Sequence, residues 1–221
     1  AYFQSFSNTY APIDTLKNLY EQALTIEDVV GLSIGTRPDC VDDSILELLQ
    51  GFAENHLIWI EYGLQSSHDS TLAFINRGHD FECFKQAVDA TKNKGIKICA
   101  HVILGLPNER KVHMLETADA VAGLGLDGIK IHLLYVVKGT KLDELYNEKK
   151  YKCLEQNEYV DIVCDFIERI PKNVVIQRLT GDPHPKELVA PDWSIKKAET
   201  LALIQETLEK RDSWQGKSAV G

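Results

Sequence analysis

The chain has no Walker loop, and no GxGxxG turn stands where a strand passes into a helix. The usual phosphate cradles of P-loop and dinucleotide-binding proteins are therefore excluded. No CxxC pair is present to suggest a zinc knuckle. The five cysteines, Cys40, Cys83, Cys99, Cys153 and Cys164, are scattered and odd in number, which reads as reduced, mostly buried thiols rather than a disulfide framework. No apolar run approaches bilayer length, and no low-complexity linker divides the chain. A basic stripe is also lacking, and a formal net charge of −9 argues against a generic nucleic-acid surface. The opening residues AYFQSF lack an initiator Met and the basic region of a signal peptide. They read as a native strand met mid-protein, and the expected location is cytoplasmic.

What is present is a repeating strand–helix pattern in a chain of 221 residues, a length that suits one α/β domain. Tyr2–Phe6 predicts a strand and Ile13–Leu24 a helix. Val29–Ile34 leads through GTRPD into a helix to Glu54, and Leu57–Ile60 begins a third unit in which Gly63 is expected to turn the backbone. Phe81–Asn93 predicts a helix closed by Gly95. Ile96–Leu104 and Gly128–Leu134 are further strands, each followed by a helix, and Glu155–Ile170 is another helix. A sixth strand, Val174–Leu179, precedes a polar, proline-rich loop to Pro191. A last helix spans Ser194–Lys210, and the tail beyond Trp214 is expected to be disordered. Such a succession gives a parallel sheet with right-handed crossovers.

Polar residues recur at the C-terminal ends of successive strands: Gln4 and Asn8, Thr36 and Arg37, Gln65 and Ser66, His101, His132 and Arg178. A barrel gathers such ends on one rim, so a barrel is preferred over a doubly wound sheet. Gln65 can donate and accept, and Arg77 offers a fork for a carboxylate. The turn of Gly105, Leu106 and Pro107 can bring exposed backbone groups to an adenine edge. His101 and His132 could ligate a metal with His184, the basis of a rival metal-dependent barrel hydrolase. Lone strand histidines more often make a buried hydrogen bond.

The segments EYGLQS, LAFINRGHD, HVILGLPNE and IKIHLLYVVKGTKL occur in that order, and together they strongly resemble the radical S-adenosylmethionine (SAM) superfamily, especially its YhcC-like subgroup. Oxygen-independent coproporphyrinogen oxidase and the catalytic subunit of Elongator are more distant relatives. The resemblance implies a partial TIM-type barrel of the (β/α)6 kind. Its first strand, together with the CxxxCxxC loop that holds a 4Fe–4S cluster, is missing from this chain. Residues 1–142 would form the truncated core, and 143–221 the C-terminal helices, extra strand and tail packed on the same domain.

The resemblance further implies an iron–sulfur enzyme that reductively cleaves SAM to a 5′-deoxyadenosyl radical, with this chain alone inactive. Gln65 would meet the SAM ribose, Arg77 the methionine carboxylate, His101 the ribose side, and Gly105–Pro107 the adenine. Gly35 stands where relatives carry a Glu for the methionine amine, so Gln4 or Asn8 would replace that contact. Thr36, Arg37, Leu106 and His132 complete the expected cofactor-binding set; no residue is assigned to catalysis or to a metal. The partners implied are an electron donor and an unknown substrate, RNA by family analogy only and no membrane. A third reading is a non-catalytic barrel that binds a protein or RNA partner.

Overall fold

A computed structural model describes residues 1–219. Six strands, β1 (Tyr2–Phe3), β2 (Gly31–Thr36), β3 (Leu57–Gln65), β4 (Lys97–Leu104), β5 (Gly128–Leu133) and β7 (Val175–Arg178), form a sheet in that order. The α/β arrangement with a parallel sheet is the one expected. The helices are α1 (Ile13–Leu24), α2 (Asp43–Ala53), α3 (Asp69–Phe74), α4 (Phe81–Thr91), α5 (Lys111–Ala122), α6 (Lys141–Asn147), α7 (Gln156–Arg169) and α8 (Lys197–Lys210). Backbone contacts divide the chain into two compact units. The first comprises Ala1–His101 with Leu124–Ile129, and the second Val102–Gly123 with the chain from Lys130 on.

In the first unit the two faces of the sheet differ in chemistry. On β3 the even positions Ile58, Ile60, Tyr62 and Leu64 are fully buried, as are Leu32 and Ile34 of β2. Helix α2 brings Leu46 and Leu49 to this core, and α4 brings Phe84 and Val88. Tyr62 packs edge-on to Phe84 with ring centroids 6.3 Å apart, and its hydroxyl lies 2.8 Å from Thr91 Oγ1. Alternation along a strand sends Trp59, Glu61, Gly63 and Gln65 to the opposite face. The parallel register sets Tyr2 opposite Ser33, Ser33 opposite Trp59 and Gly35 opposite Glu61, so these residues share that face. It is the polar face.

In the second unit α7 packs against α5 and α8, burying Val163, Phe166 and Ile167 with Met114, Ala118 and Ile204. Two short antiparallel strands, β6 (Val136–Val137) and β8 (Leu188–Ala190), enclose a small core of Val136, Tyr151, Cys153 and Ala190. Strand β8 occupies part of the proline-rich stretch expected to be loop. Residues 215–219 are not loose either: Gln215 Nε2 donates to the carbonyls of Pro171 and Val174 at 2.8 and 2.7 Å, and the Ser218 amide to Glu168 O at 2.8 Å, while the expectation for residues 220 and 221 lies outside the described residues.

Other differences are local. The first strand ends at Phe3, and Phe6 sits at φ 64°. Strand β3 runs straight through Gly63 to Gln65. The spacing Gly123-x-Gly125-x-x-Gly128 matches the dinucleotide fingerprint letter by letter, but it joins helix α5 to strand β5. That is the wrong order for a cradle opening a helix, so it carries no phosphate reading. Among the described residues no helix is long and apolar enough to cross a membrane.

Candidate ligand site on the polar face of the first unit

Gly63 is the pivot. Both Nε and Nη2 of Arg77 donate to its carbonyl, at 3.1 and 2.8 Å, and His79 Nε2 lies 3.2 Å from the same oxygen. A Cβ built on Gly63 would stand 2.4 Å from Arg77 Nη2 and 2.7 Å from Gln65 Nε2. The expected turn at Gly63 is therefore replaced by an in-strand glycine whose missing side chain leaves room for those two groups. Gln65 itself has φ 78°, a left-handed conformation that costs a non-glycine residue about 1 kcal/mol or more and tends to persist at functional sites. Substituting Gly63→Ala pushes aside only the flexible ends of two side chains. We expect thermal stability to change by less than about 1 kcal/mol, whereas affinity for a ligand gripped by Arg77 falls by about 1 kcal/mol or more, as parallel melting and titration curves would show.

Arg77 is half-buried, and burial is the main influence pulling its guanidinium below its usual range, with the nearby Arg37 charge adding to it. It remains cationic. Among the described residues no carboxylate is bonded to it, and two of its five N–H groups are spent on Gly63, leaving the rest of the fork for an external anion. Arg37, by contrast, is committed: Nε donates to Asp39 Oδ1 at 2.9 Å and Nη2 to Oδ2, a pairing that holds the Asp39 carboxyl below its usual range. Its guanidinium lies against Gly78, where a Cβ would meet Nη2 at 2.7 Å. Arg37 borders the site without offering a free fork.

A second feature, absent from the expected set, is Glu61. It is 2% exposed, and on the polar face it accepts from residues of three other strands. Tyr2 Oη donates to Oε2 at 2.9 Å, Ser33 Oγ donates to Oε1, and His101 Nε2 lies 2.7 Å from Oε2. A carboxylate only accepts, so His101 carries its proton on Nε2 here. Sequence reasoning passed over Glu61 as part of a buried strand. The available signal was its place at an odd position between Trp59 and Gly63, which puts an acid on the face opposite the apolar core.

The other expected residues divide into three groups. Gln4 is exposed just past β1. The Asn8 carboxamide is a backbone staple that donates to Gly35 O at 2.9 Å and Phe3 O at 3.1 Å, and Thr36 is buried against Thr9 with their hydroxyl oxygens 2.6 Å apart. Gly105, Leu106, Pro107 and His132 belong to the second unit. There Gly105 has φ 89°, its carbonyl accepts from Tyr151 Oη at 2.8 Å, and its amide lies 3.2 Å from Met114 Sδ. All three residues of this turn are buried. The amide and carbonyl of Gly105, expected to be exposed, are thus engaged with neighbours of the same unit.

Two cofactors are implied by the resemblance, and they fare differently. A carboxylate-bearing ligand suits the N–H groups of Arg77 that are not engaged by Gly63 O. For the iron–sulfur cluster the described residues do not fit: they hold no group of three His, Cys, Asp or Glu side chains placed to bind a metal, and Cys99, Cys153 and Cys164 are buried singly. The same finding leaves the hydrolase reading without its ligand set.

The model of the Radical SAM superfamily matches residues 6–121, and that of the Radical_SAM C-terminal domain matches residues 126–210. The chain is 45% identical to YtqA of Bacillus subtilis, covering 98% of this chain and 67% of YtqA. It is 38% identical to YhcC of Escherichia coli, covering 87% of this chain and 63% of YhcC. It therefore spans about two thirds of the length of these curated relatives. Archaeal Elp3 from Methanocaldococcus infernus, solved with its N-terminus deleted, shares the fold, with a TM-score of 0.81 at 20% identity over 97% of this chain and 54% of that one. With this partial barrel, two matching family models and relatives along nearly its whole length, the chain belongs to the radical SAM superfamily.

Proposed function

We propose that this chain is the SAM-binding part of an iron–sulfur enzyme acting on a substrate still to be identified. The observation that carries the reading is the half-buried Arg77 fork, held on Gly63 O with no acidic side chain among the described residues bonded to it. Bound SAM would supply a 5′-deoxyadenosyl radical once reduced by a 4Fe–4S cluster. The chain's own residues bind and orient. Arg77 takes the carboxylate, Gln65 presents its amide over Gly63 to the ribose, and His101, fixed by Glu61, lines the polar face. We assign the cluster thiolates to sequence outside this chain, since the described residues present no trio and the relatives are longer. The partners that go with this reading are an electron donor and a substrate still to be identified, RNA by family analogy only.

Iron and acid-labile sulfide analysis of the anaerobically purified full-length protein tests the reading. A stoichiometric 4Fe–4S cluster supports it; zinc without sulfide would restore the hydrolase, and neither metal nor SAM binding would favour a non-catalytic barrel. The 221-residue chain by itself is expected to be colourless and unable to cleave SAM under reductant. An iron–sulfur absorption band accompanied by SAM turnover from this chain alone would overturn the assignment of the thiolates.

A further inference from the structure

His79 lies between two carbonyl oxygens. Its Nε2 is 3.2 Å from Gly63 O, and its Nδ1 is 3.2 Å from Asp80 O. A neutral imidazole has one N–H and can donate to only one of them; imidazolium has two and satisfies both. One of these oxygens is the one gripped by Arg77. The niche is therefore shaped for the charged ring, beside a guanidinium that awaits an anion. We propose that His79 is a positioning residue of the Arg77 site, and that binding of the SAM carboxylate there is coupled to uptake of a proton by His79. The inference rests on the reading in which Arg77 holds that carboxylate.

The surroundings of the ring give the sign of the coupling. Without ligand, burial is the largest influence and holds His79 below the ordinary imidazole range; the Arg77 charge acts in the same direction, while the two carbonyls and Asp39 oppose them. The charged and titratable groups nearby are Arg77 on the same loop, Arg37, Asp39 and Cys40 at and beyond the end of β2, and Asp80 and Cys83 at the start of α4. Asp39 is paired with Arg37, and Asp80 Oδ1 accepts from the Cys83 amide at 2.7 Å. A carboxylate arriving at Arg77 adds negative charge and favours the imidazolium. By linkage, protonation of His79 then favours the carboxylate, so affinity climbs as pH falls through the imidazole range.

The test is calorimetric titration of SAM into the anaerobically purified full-length protein, in buffers of different ionisation enthalpy between pH 8 and pH 5.5. 5′-Deoxy-5′-methylthioadenosine, which lacks the carboxylate, serves as comparator. We expect net proton uptake on SAM binding, with affinity about fivefold or more higher at the acid end, and neither effect for the comparator. His79→Gln keeps one donor for Gly63 O and should bind SAM with no proton uptake and a flat profile. Equal pH profiles in wild type and His79→Gln, absence of proton uptake in wild type, or the same uptake with the comparator would overturn the proposal. If Arg77→Ala leaves SAM affinity unchanged, the Arg77 reading itself fails and the coupling falls with it; if Arg77→Ala binds weakly while the wild-type profile stays flat, only the coupling fails.

Discussion

Replacing Arg77 by Ala is expected to cost about 1.5–3 kcal/mol of SAM affinity in the full-length protein, while Gln65→Ala costs about 0.5–1.5 kcal/mol. The gap has a physical source. Arg77 makes a charge-assisted fork to a carboxylate in a half-buried setting, and Gln65 makes a neutral hydrogen bond whose loss water partly replaces. Neither substitution should unfold the chain. Arg77 gives up two bonds to one carbonyl, and the Gly63 oxygen keeps His79 at 3.2 Å. Titration of SAM or a non-cleavable analogue into wild type and both variants checks the order. Wild-type binding by Arg77→Ala would reduce it to a surface cation.

The largest stability loss is expected at Glu61. Glu61→Leu removes an acceptor that is 2% exposed and serves Tyr2, Ser33 and His101 together, leaving polar groups of β1, β2 and β4 facing an aliphatic chain. Removing one member of a buried ionic or charge-assisted set costs about 3–5 kcal/mol, and we expect about 3 kcal/mol here because Tyr2 at 43% exposure can turn to water. Glu61→Gln retains an acceptor of the same shape and should cost about 1 kcal/mol. Chemical denaturation of the two variants separates the contributions; equal midpoints for Glu61→Leu and wild type would show that the network does not hold these strands together in solution.

Much of the architecture could be read from local pattern, because strand–helix alternation, caps and apolar periodicity act over neighbouring residues. Helix α1 falls where its stripe places it, and α7 and β7 each fall within one residue at either end. Several of the failures share a cause, dependence on a distant partner. Gly63 looked like a turn because glycine usually marks one, and the group that needs its space, Arg77, lies fourteen residues on. Asn8 looked like a ligand donor, yet its amide is spent on Gly35 O across a separation of 27 residues. Strands β6 and β8 are too short to show a period, and the tail is ordered by bonds to α7 and the segment after it. Glu61 was hidden for the opposite reason: one acid inside a strongly apolar strand registers as noise until the register shows which face it occupies.

The most direct test of the central claim is a crystal structure of the anaerobically prepared full-length protein with SAM bound. The account predicts the methionine carboxylate on the outward N–H groups of Arg77, within hydrogen-bond distance, with Gln65 beside the ribose and Arg77 still seated on Gly63 O. A SAM molecule whose carboxylate meets other residues, with Arg77 left in solvent or turned away from Gly63, would contradict it.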